Sequence, residues 1–568
     1  MNDIIKQIKD EICTVTRNSL SKMNLTVPDE EAFKKAADEK IEIEIPKEKK
    51  FGNFSVNTAM KLTKVLRTSP VNIAKAMCEA MEFGGTYIEK CEIAGPGFIN
   101  FYLKNDWLYD GLRLVDKLGG DFGKTDSGKG KKIMVEFVSA NPTGPMHMGN
   151  ARGGALGDSI ASVLEHIGCD VTREFYINDA GAQIEKFGKS LEARYMQIFK
   201  GEDGFEFPED GYRGGDIKVH AVNFAEIHSD KYVGVSSEER RKALVDYALP
   251  INIANLKKDL ERYRIYYDVW FKESTLHKDG EVAETIDLLK KSNLTYEKDG
   301  ALWLKATEFG CEKDEVLIRA NGIPTYFAVD IAYHRNKFAV RGFDRVINVW
   351  GADHHGHVAR MEGAMDAIGI DSKKLTVVIM QLVRLIKDGD VARMSKRTGE
   401  MITLSDLIDE IGVDAARFFF NLRQAGSHLE FDLDLAVAQN NDNPVFYVQY
   451  AHARICSILR GLNEEGVKLA DASKINLNRL THESEKELIA KLNSLPQEIE
   501  TAAQILEPSR LTRYLLDLSA LFHSFYNSCR VKVDDGELMQ ARMFLIKNVR
   551  TVIRNTLAIL KIDAPEKM

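Results

Sequence analysis

Residues 145–150 are the first stretch suited to chemistry, since they place His147 between a predicted strand and a helix predicted from about Asn150. Gly144 and Gly149 have no Cβ atom, so the backbone around His147 can approach a phosphate closely. A helix N-terminus also presents free N–H groups and a partial positive charge to an anion. His147 is therefore placed to donate a hydrogen bond to an α-phosphate as that phosphate becomes five-coordinate. The alternative is that His147 only caps the helix.

The second stretch is residues 393–396, which ends in Lys396 and lies between Gly389 and Gly399. A lysine on a glycine-flanked loop can follow negative charge as it moves from the β- and γ-phosphates to a leaving pyrophosphate. The alternative is a basic loop that is simply solvated. Each stretch alone is a weak signal, and their occurrence together, in this order, is a stronger one.

The elements that must position these residues alternate between strand and helix. Strand, glycine-containing loop, helix and strand follow one another over residues 133–176, which predicts a doubly wound parallel sheet. Residues from about 185 to 310 interrupt the alternation with charged helices and loops, so we interpret them as a large insertion. The predicted strands of the sheet are residues 133–138, 171–176, 345–350 and 375–380.

The flanking regions differ from this core. Residues 1–115 mix helical stretches with strand signals, and the alternating run at residues 98–103 predicts a strand after a glycine turn. From about residue 435 the chain is predicted to be all helical, because its apolar side chains recur with the spacing of one helix face. We therefore expect an N-terminal α+β domain and a C-terminal helical bundle.

Composition limits the classes of protein that fit. A chain of 568 residues with 44% hydrophobic and 29% charged residues is expected to form three or four water-soluble domains, and it has no apolar run long enough for a membrane span. Its seven cysteines are scattered and show no Cys-x-x-Cys spacing, which favours a reducing compartment and argues against a zinc ribbon. The net charge of −8 means that any nucleic acid must be held by local basic patches and shape.

With these residues in view, the chain resembles the arginyl-tRNA synthetases, a family of class I aminoacyl-tRNA synthetases, nearly from end to end. The resemblance implies a multidomain α/β fold with a Rossmann-type doubly wound core. We expect residues 1–115 to form the tRNA-contacting N-terminal domain, residues 116–434 the catalytic domain, with the insertion and a Met-Ser-Lys loop region at about 385–405, and residues 435–568 the anticodon-binding bundle. The segments that carry the resemblance are residues 136–152, 176–181, 326–334, 351–355, 447–454 and 564–568.

The activity implied by this resemblance is ATP-dependent ligation of L-arginine to tRNA(Arg) through an arginyl-adenylate. His147, Asn150 and Lys396 are the implied catalytic residues. The family pattern usually has a second histidine where this chain has Asn150; asparagine can still donate a hydrogen bond, but a role specific to imidazole is in doubt. The motif around Lys396 begins with Arg393 where lysine is common. The implied ATP contacts are Pro145, His147, Gly149, Asn150, Met394, Ser395 and Lys396.

The implied arginine pocket makes physical sense, because a planar guanidinium with five donors calls for carboxylate and hydroxyl acceptors. Tyr326 and Asp330 are four residues apart and share one helix face; by resemblance they hold the guanidinium, with Asp330 pairing in fork geometry. An ordinary amphipathic helix is the alternative, and the histidines at 354, 355 and 357 are alternatively polar residues at a strand end. The implied pocket residues are Glu136, Ser139, Asn141, Tyr326, Asp330 and His354.

RNA contacts are harder to place, since single-stranded RNA is bound by stacking and by hydrogen bonds to base edges. Four of the candidates named below lie in the helical domain, and the alternative for them is that they belong to its apolar core. Asn100 matches a family segment that meets the tRNA D-loop, and the alternative for it is the solvent face of a strand. The candidate RNA contacts are Asn100, Asn443, Tyr447, Tyr450 and Arg454.

The expected ligands are ATP, accompanied by Mg²⁺ through its phosphates, L-arginine and tRNA(Arg), with no zinc or other protein metal site and no organic cofactor. We expect a cytoplasmic monomer that does not bind membranes. Three other identities fit the sequence less well. The related cysteine enzyme should have zinc-ligand cysteines, and a small nucleotidylyltransferase would leave the helical C-terminal third unexplained. His147 and Lys396 argue against a catalytically inactive tRNA-binding regulator.

Overall fold

The structure is a computed structural model that describes residues 3–392 and 402–568. The predicted motif at residues 393–396 therefore lies outside the described residues. No helix among the described residues is long and apolar enough to cross a membrane.

The N-terminal part combines helices with a small antiparallel sheet. Its helices are α1 Ile4–Lys22, α2 Glu30–Asp38, α3 Thr58–Leu66 and α4 Pro70–Ala80. Its strands are β1 Ile43–Glu44, β2 Phe54–Val56, β3 Ile88–Ala94 and β4 Phe98–Leu103. The strand order is β1-β2-β4-β3, so the predicted strand at residues 98–103 is an inner strand of this sheet.

The central part contains the elements that position the site. Its helices are α5 Asp106–Leu118, α6 Met148–His166, α7 Ala182–Lys200, α8 Gly215–His228, α9 Ser237–Arg262, α10 Glu273–Lys278, α11 Glu281–Lys291, α12 Tyr326–Arg335 and α13 His355–Ala367. Its strands are β5 Lys132–Glu136, β6 Asp170–Ile177, β7 Val269–Lys272, β8 Thr295–Lys298, β9 Ala301–Leu304, β10 Glu315–Ile318, β11 Arg345–Gly351 and β12 Leu375–Met380.

Five of these strands form one parallel sheet with the order β12-β11-β5-β6-β7. The helix α6 connects β5 to β6, as the βαβ pattern predicted. The chain continues to opposite sides of β5, because β6 lies on one side and β11 on the other. Ligands of doubly wound sheets bind in the crevice outside the carboxyl ends of the strands at such a switch point. The predicted doubly wound core is confirmed.

The predicted insertion is not a continuous one. The strand β7 lies within residues 185–310 and pairs with β6 in the core sheet. The helices α7, α8 and α9 before it have a separate apolar core that includes Phe187, Leu191 and Phe224. After β7, the antiparallel sheet β8–β10 extends to Ile318. With only four residues, β7 carries too little alternation to stand out from the charged segments around it.

A second correction concerns the first core strand, which was predicted to extend to residue 138. The strand β5 ends at Glu136. Shortly after it, Val138 and Ser139 have φ values of 69° and 42°. Left-handed backbone cannot continue a strand, and it is unfavourable for a β-branched valine. The sharp turn directs the following loop across the end of the sheet.

The remaining elements connect the core to a helical C-terminal part. The strands β13 Val383–Lys387, β14 Asp390–Ala392 and β15 Leu429–Asp432 form a small sheet. The helices between and after them are α14 Leu404–Ile411, α15 Val413–Phe420 and α16 Leu433–Val437. The last helices are α17 Pro444–Glu464, α18 Glu483–Asn493, α19 Leu495–Ile505, α20 Ser509–Ser528 and α21 Gly536–Ile559. They share one apolar core with the N-terminal part and with α6.

A buried charge cluster joins α6 to distant parts of the chain. Asp158 on α6 accepts hydrogen bonds from Arg173 Nε at 2.9 Å, Arg417 Nη2 at 2.6 Å and Lys561 Nζ at 2.7 Å. Burial alone would raise the pKa of Asp158, but the three cations hold it below its ordinary value. The cluster therefore ties the helix that begins at the His147 motif to the segment after α21.

Candidate active site

The segment between β5 and α6, residues 137–147, is called the first-motif loop below. It begins with the left-handed turn at Val138 and Ser139, which neighbouring hydroxyls hold in place. The Ser139 hydroxyl donates to Glu136 Oε1 at 2.9 Å and accepts from the backbone N–H of Tyr176 at 3.2 Å. The Tyr267 hydroxyl donates to the carbonyl of Phe137 at 2.9 Å. Strained backbone of this kind persists where surrounding contacts determine it, and it is often found at functional sites.

At its other end the loop enters α6 through a capping box. The ring Nδ1 of His147 accepts from the Gly149 N–H at 3.1 Å, and the backbone N–H of His147 donates to Asn150 Oδ1 at 3.0 Å. The alternative that His147 caps the helix is therefore correct. It does not exclude a phosphate contact, because His147 Nε2 makes no hydrogen bond to the described residues. The box also gives Asn150 a structural reason to replace a second histidine, since its amide oxygen is the cap acceptor.

Residues just after the second motif lie against the first-motif loop. The Leu404 N–H donates to the Met146 carbonyl at 2.8 Å, and Thr403 forms an isolated bridge with His147. Pro145 is exposed beside them. The predicted ATP contacts Met394, Ser395 and Lys396 lie outside the described residues. Thr403, which follows that motif closely in the sequence, therefore lies beside His147.

On the other side of the crevice, α12 presents Tyr326 and Asp330 as the four-residue spacing predicted. The Tyr326 hydroxyl accepts from the Ala182 N–H at 3.2 Å, and Asp330 Oδ2 is 3.0 Å from His357 Nε2. Both side chains remain partly exposed, Tyr326 at 44% and the Asp330 side chain at 35%. A hydroxyl and a half-open carboxylate on one helix face are suitable acceptors for a guanidinium.

Two further carboxylates lie in the same region and were missed by sequence reasoning. Glu273, the first residue of α10, is 4% exposed and accepts from the Tyr176 hydroxyl at 2.9 Å. Burial and the nearby Asp330 and Asp179 carboxylates raise the pKa of Glu273, the Tyr176 hydrogen bond lowers it, and together they bring it to about 7. Asp179 accepts from the Ser274 N–H and hydroxyl, both at 2.8 Å. We call Asp330, Glu273 and Asp179 the acidic pocket.

Glu136 differs from these carboxylates because it already has a cation. Its Oε2 accepts from Lys337 Nζ, and the Lys337 side chain is completely buried. The π-helical turn Asn336–Val340 that follows α12 supplies this lysine, and such turns are frequent at functional sites. Glu136, which was predicted as a pocket residue, is therefore already paired with a buried cation.

A row of buried polar groups continues from that pair to α12. Lys337 Nζ also donates to Asn348 Oδ1 at 3.2 Å, and Asn348 Nδ2 is 2.9 Å from His334 Nε2. Burial lowers the pKa of His334 well below its ordinary value, so its ring is neutral and Nδ1 donates to the Asp330 carbonyl at 2.8 Å. This row of hydrogen bonds therefore ends at the backbone of Asp330.

Two predicted pocket residues do not join the cluster. His354 has a side chain that is 57% exposed and lies 3.4 Å from the neighbouring Asp353, whereas His357, one helical turn later, contacts Asp330. Asn141 is exposed on the first-motif loop. His357 and not His354 contacts Asp330, because α13 begins at His355 and turns residue 357 towards α12.

The predicted RNA contacts divide into two groups. Tyr447, Tyr450 and Arg454 lie together on α17, where Arg454 donates to the Tyr450 hydroxyl at 2.9 Å. Aromatic rings from α20 complete this half-exposed cluster: His523 is 5.0 Å from the Tyr447 ring, and Arg454 lies 4.5 Å from the Tyr526 ring. Rings and a guanidinium plane are suitable for stacking with bases.

Asn443 and Asn100 belong to the other group, since both are buried, each with 4% exposed. Asn443 caps α17 and donates to the carbonyls of Ala436 and Ala438 at 3.0 and 2.9 Å. Asn100 lies in β4, between β2 and β3. Each would have to become exposed before it could contact RNA.

Among residues 3–392 and 402–568, no group of three or more His, Cys, Asp or Glu side chains is arranged to hold a metal ion. The Asp330 contact with His357 is one carboxylate and one imidazole, which is too few ligands for a structural metal.

Comparison with known proteins matches the whole length of the chain. Three family models fit: the arginyl tRNA synthetase N terminal domain over residues 3–103, the class I (R) tRNA synthetase catalytic domain over residues 115–424, and the DALR anticodon binding domain over residues 448–568. The arginine–tRNA ligase of Acetivibrio thermocellus is 58% identical over 568 residues, and that of Ruminiclostridium cellulolyticum is 57% identical over 570 residues. In both cases all of this chain and all of the relative are covered.

A solved structure shows the same relationship in three dimensions. A Campylobacter jejuni protein described as an arginyl-tRNA synthetase superimposes with a TM-score of 0.75 and 34% sequence identity. The match covers 82% of this chain and all of that chain.

Proposed function

Because this chain belongs to the arginyl-tRNA synthetase family, we propose that it ligates L-arginine to tRNA(Arg) at the expense of ATP. The observation that carries the proposal is the acidic pocket beside the first-motif loop. Asp330, Glu273 and Asp179 concentrate negative charge where the substrate side chain would enter, while Lys337 neutralises Glu136. A guanidinium, always charged and rich in donors, complements that arrangement.

The reaction proceeds in two balanced steps. The arginine carboxylate attacks the α-phosphorus of ATP, the bond to the β,γ-phosphates breaks, and arginyl-adenylate and pyrophosphate result. A ribose hydroxyl of the 3′-terminal adenosine, by family resemblance the 2′-hydroxyl, then attacks the arginyl carbonyl and loses its proton. The bond between the arginyl carbonyl and the phosphate breaks, and AMP leaves. The enzyme's contribution to the first step is orientation and stabilisation of charge on the phosphates.

His147 and Asn150 are proposed to act at the α-phosphate. The capping box holds the His147 ring over the N-terminus of α6, so that Nε2 and the Asn150 amide nitrogen remain as donors. The free N–H groups of the first turn add to the favourable field for an anion. Pro145 and Gly149 would border the nucleotide, and Lys396, with Met394 and Ser395, would balance charge on the leaving pyrophosphate.

For the amino acid, Asp330 and Tyr326 are proposed to bind the guanidinium, with Glu273 as a second carboxylate. Ser139 and Glu136, at the start of the first-motif loop, lie nearer the position of the α-amino and carboxyl groups. Asn141 is a candidate for the same end of the substrate. Mg²⁺ is proposed to enter with ATP through the phosphates rather than in a protein cage.

For the RNA, Tyr447, Tyr450 and Arg454 are proposed to bind anticodon bases together with Tyr526 and His523. We propose that residues 1–115 contact the corner of the tRNA and that residues 116–434 carry out catalysis. Residues 435–568 are proposed to bind the anticodon. We propose that the enzyme works as a monomer in the cytoplasm.

The test is arginine-dependent exchange of pyrophosphate into ATP, measured across all twenty amino acids with and without total tRNA. Among the twenty amino acids, we expect only arginine to support exchange. We also expect the enzyme to charge tRNA(Arg) with arginine in a separate assay. Citrulline has the shape of arginine without the charge, and lysine has the charge without the planar fork, so both should be poor substrates. Exchange that prefers another amino acid would overturn the proposal.

A further inference from the structure

The helices α7–α9 have their own apolar core, yet one side chain from them reaches the first-motif loop. Asn252 on α9 donates from Nδ2 to the Pro142 carbonyl at 3.0 Å. Its Oδ1 lies 2.7 Å from Nε2 of His220 on α8. Asn252 and His220 are 5% and 6% exposed, so water competes little with either hydrogen bond.

The orientation of this pair follows from the chemistry of its two ends. A proline carbonyl can only accept, so the Asn252 amide must direct its nitrogen to Pro142 and its oxygen to His220. His220 must then carry its proton on Nε2 in order to donate. The result is a directed chain from His220 through Asn252 to the loop, and each group has one role.

Pro142 and Thr143 are buried at this point of the loop, whereas the residues that follow them border a cavity. A cavity of about 710 Å³ lies elsewhere in the molecule, but one of about 360 Å³ borders Gly144 and Pro145 directly, with α8 and α9 forming the opposite wall. Backbone next to a cavity is not held by close-packed side chains. The Asn252 hydrogen bond contacts the loop at Pro142, just before the residues that border this cavity, while the Leu404 N–H contacts it four residues later, at Met146.

We propose that Asn252 is a positioning residue for the ATP step, and that His220 orients it. Resting on the proposed function, this makes α8 and α9 part of the activation site rather than a passive insertion. Pro142 lies five residues before His147, so a loop released from Asn252 would misplace the donor at the α-phosphate. Displacements of about 1 Å can cost ~10²-fold in rate.

The decisive variant is Asn252→Asp, which keeps the size of the side chain but removes the donor to Pro142. Its matched control is Asn255→Asp, the same chemical change on an exposed residue that lines the same cavity. In arginine-dependent pyrophosphate exchange, we expect Asn252→Asp to lower kcat about 10- to 100-fold, with the KM for arginine changed less than about threefold. Asn255→Asp should stay within about twofold of the parent in both constants.

A second pair of variants tests the chain if Asn252→Asp does not fold. His220→Gln retains a donor towards Asn252 Oδ1, whereas His220→Leu removes it. We expect His220→Leu to lower kcat and His220→Gln to restore most of the loss. The double variant Asn252→Asp/His220→Leu should be no slower than Asn252→Asp alone, because the two residues act through one contact.

The outcomes separate the two claims. A parent enzyme without arginine-dependent exchange would overturn the proposed function. A parent with normal exchange, together with an Asn252→Asp variant whose kcat is within twofold of it or equal to that of Asn255→Asp, would overturn the positioning role. Equal losses in His220→Leu and His220→Gln, with an unchanged melting temperature, would overturn the part assigned to His220.

Discussion

The acidic pocket and the first-motif loop lie at the same end of the core sheet, but they are built in different ways. The pocket is made of side chains from several elements: Asp179 follows β6, Glu273 begins α10 and Asp330 lies on α12. We expect its specificity to depend on the charge of these side chains. The loop is made largely of backbone, held by the turn at Val138, the Asn252 hydrogen bond and the capping box at His147. We expect the function of the loop to depend on the position of its backbone.

This difference predicts two kinds of response to substitution. In the pocket, changing the charge of a side chain without changing its shape should be enough to abolish recognition. In the loop, the same kind of change should act only where it breaks a contact that holds the backbone. Variants that conserve shape therefore distinguish the two regions better than truncation to alanine does.

The largest effect is expected from Asp330→Asn. The change keeps the shape of the side chain but removes the charge that would pair with the guanidinium, and truncating one partner of such a pair costs about 2–5 kcal/mol. We expect kcat/KM for arginine in pyrophosphate exchange to fall about 10²- to 10³-fold, with the KM for ATP nearly unchanged. Asp353→Asn, at a neighbouring carboxylate that is 80% exposed, is the matched control. A loss of less than about fivefold would show that Asp330 does not bind the guanidinium.

Lys396→Ala should give the next largest effect, and it should appear in turnover. A cation that balances charge on the leaving pyrophosphate acts mainly in the transition state, so kcat should fall about 10²-fold while arginine binding is retained. Single-turnover formation of arginyl-adenylate, with equilibrium binding of arginine measured alongside, separates these quantities. Lys374→Ala, at an exposed lysine before β12, serves as the comparison. Normal turnover in Lys396→Ala would remove Lys396 from the mechanism.

We expect Glu273 to make arginine binding depend on pH. A carboxyl with a pKa of about 7 is mostly neutral at pH 6 and mostly ionised at pH 8, and the ionised form should bind the guanidinium. Arginine affinity, measured by calorimetry, should therefore increase about tenfold between pH 6 and pH 8 in the parent. Glu273→Gln should bind arginine more weakly than the parent at pH 8 and show little of this dependence. An equal pH dependence in both proteins would contradict the role of Glu273.

The same group predicts a stability effect of defined sign. The pKa of Glu273 is raised above the ordinary value of 4.5, so the folded state binds more protons than the unfolded state between pH 4.5 and pH 7. This contribution to stability is fully present below pH 4.5 and is lost as the pH rises through 7. The melting temperature of the parent should therefore fall relative to that of Glu273→Gln over that interval.

The smallest effects are expected at Asn150, where two functions can be separated. Asn150→Asp keeps an oxygen that can accept from the His147 N–H, so helix stability should be unchanged, but the donor to the phosphate is lost. Asn150→Ala loses both and should reduce the free energy of unfolding by about 1 kcal/mol. We expect kcat to fall less than about tenfold in Asn150→Ala and further in Asn150→Asp, where a negative charge meets the phosphate. An Asn150→Asp variant with parental kcat would limit Asn150 to capping.

The same difference explains what could be predicted from the sequence. Where local pattern decides the structure, the predictions were accurate: β4 and β12 have the predicted bounds, and Tyr326 and Asp330 share a helix face. The capping of α6 was foreseen as an alternative, because glycines and a histidine at a strand–helix junction are local signals. The doubly wound core followed from the βαβ pattern in the same way.

Residues brought together from distant segments were not predicted. Glu273 follows the four-residue strand β7, which has no clear periodicity of its own and acquires meaning only by pairing with β6. Lys337 lies in a π-helical turn, which no spacing rule indicates. The contact of His357 with Asp330 was not predicted either, because the start of α13 decides which histidine faces α12. In the sequence, Asn252 is one of many polar residues on the long helix α9, and only the structure shows its contact with Pro142.

The cluster around Asp158 has a consequence for the order in which the chain can be completed during synthesis. Asp158 and Lys561 are 403 positions apart. At about 5–20 residues per second, a ribosome needs roughly 20–80 s to cover that distance. Throughout that interval the nascent α6 has at most two of the three cations that hold Asp158 ionised. The helix that follows the first-motif loop thus acquires its final charged partner only after the helices up to α21 have been made.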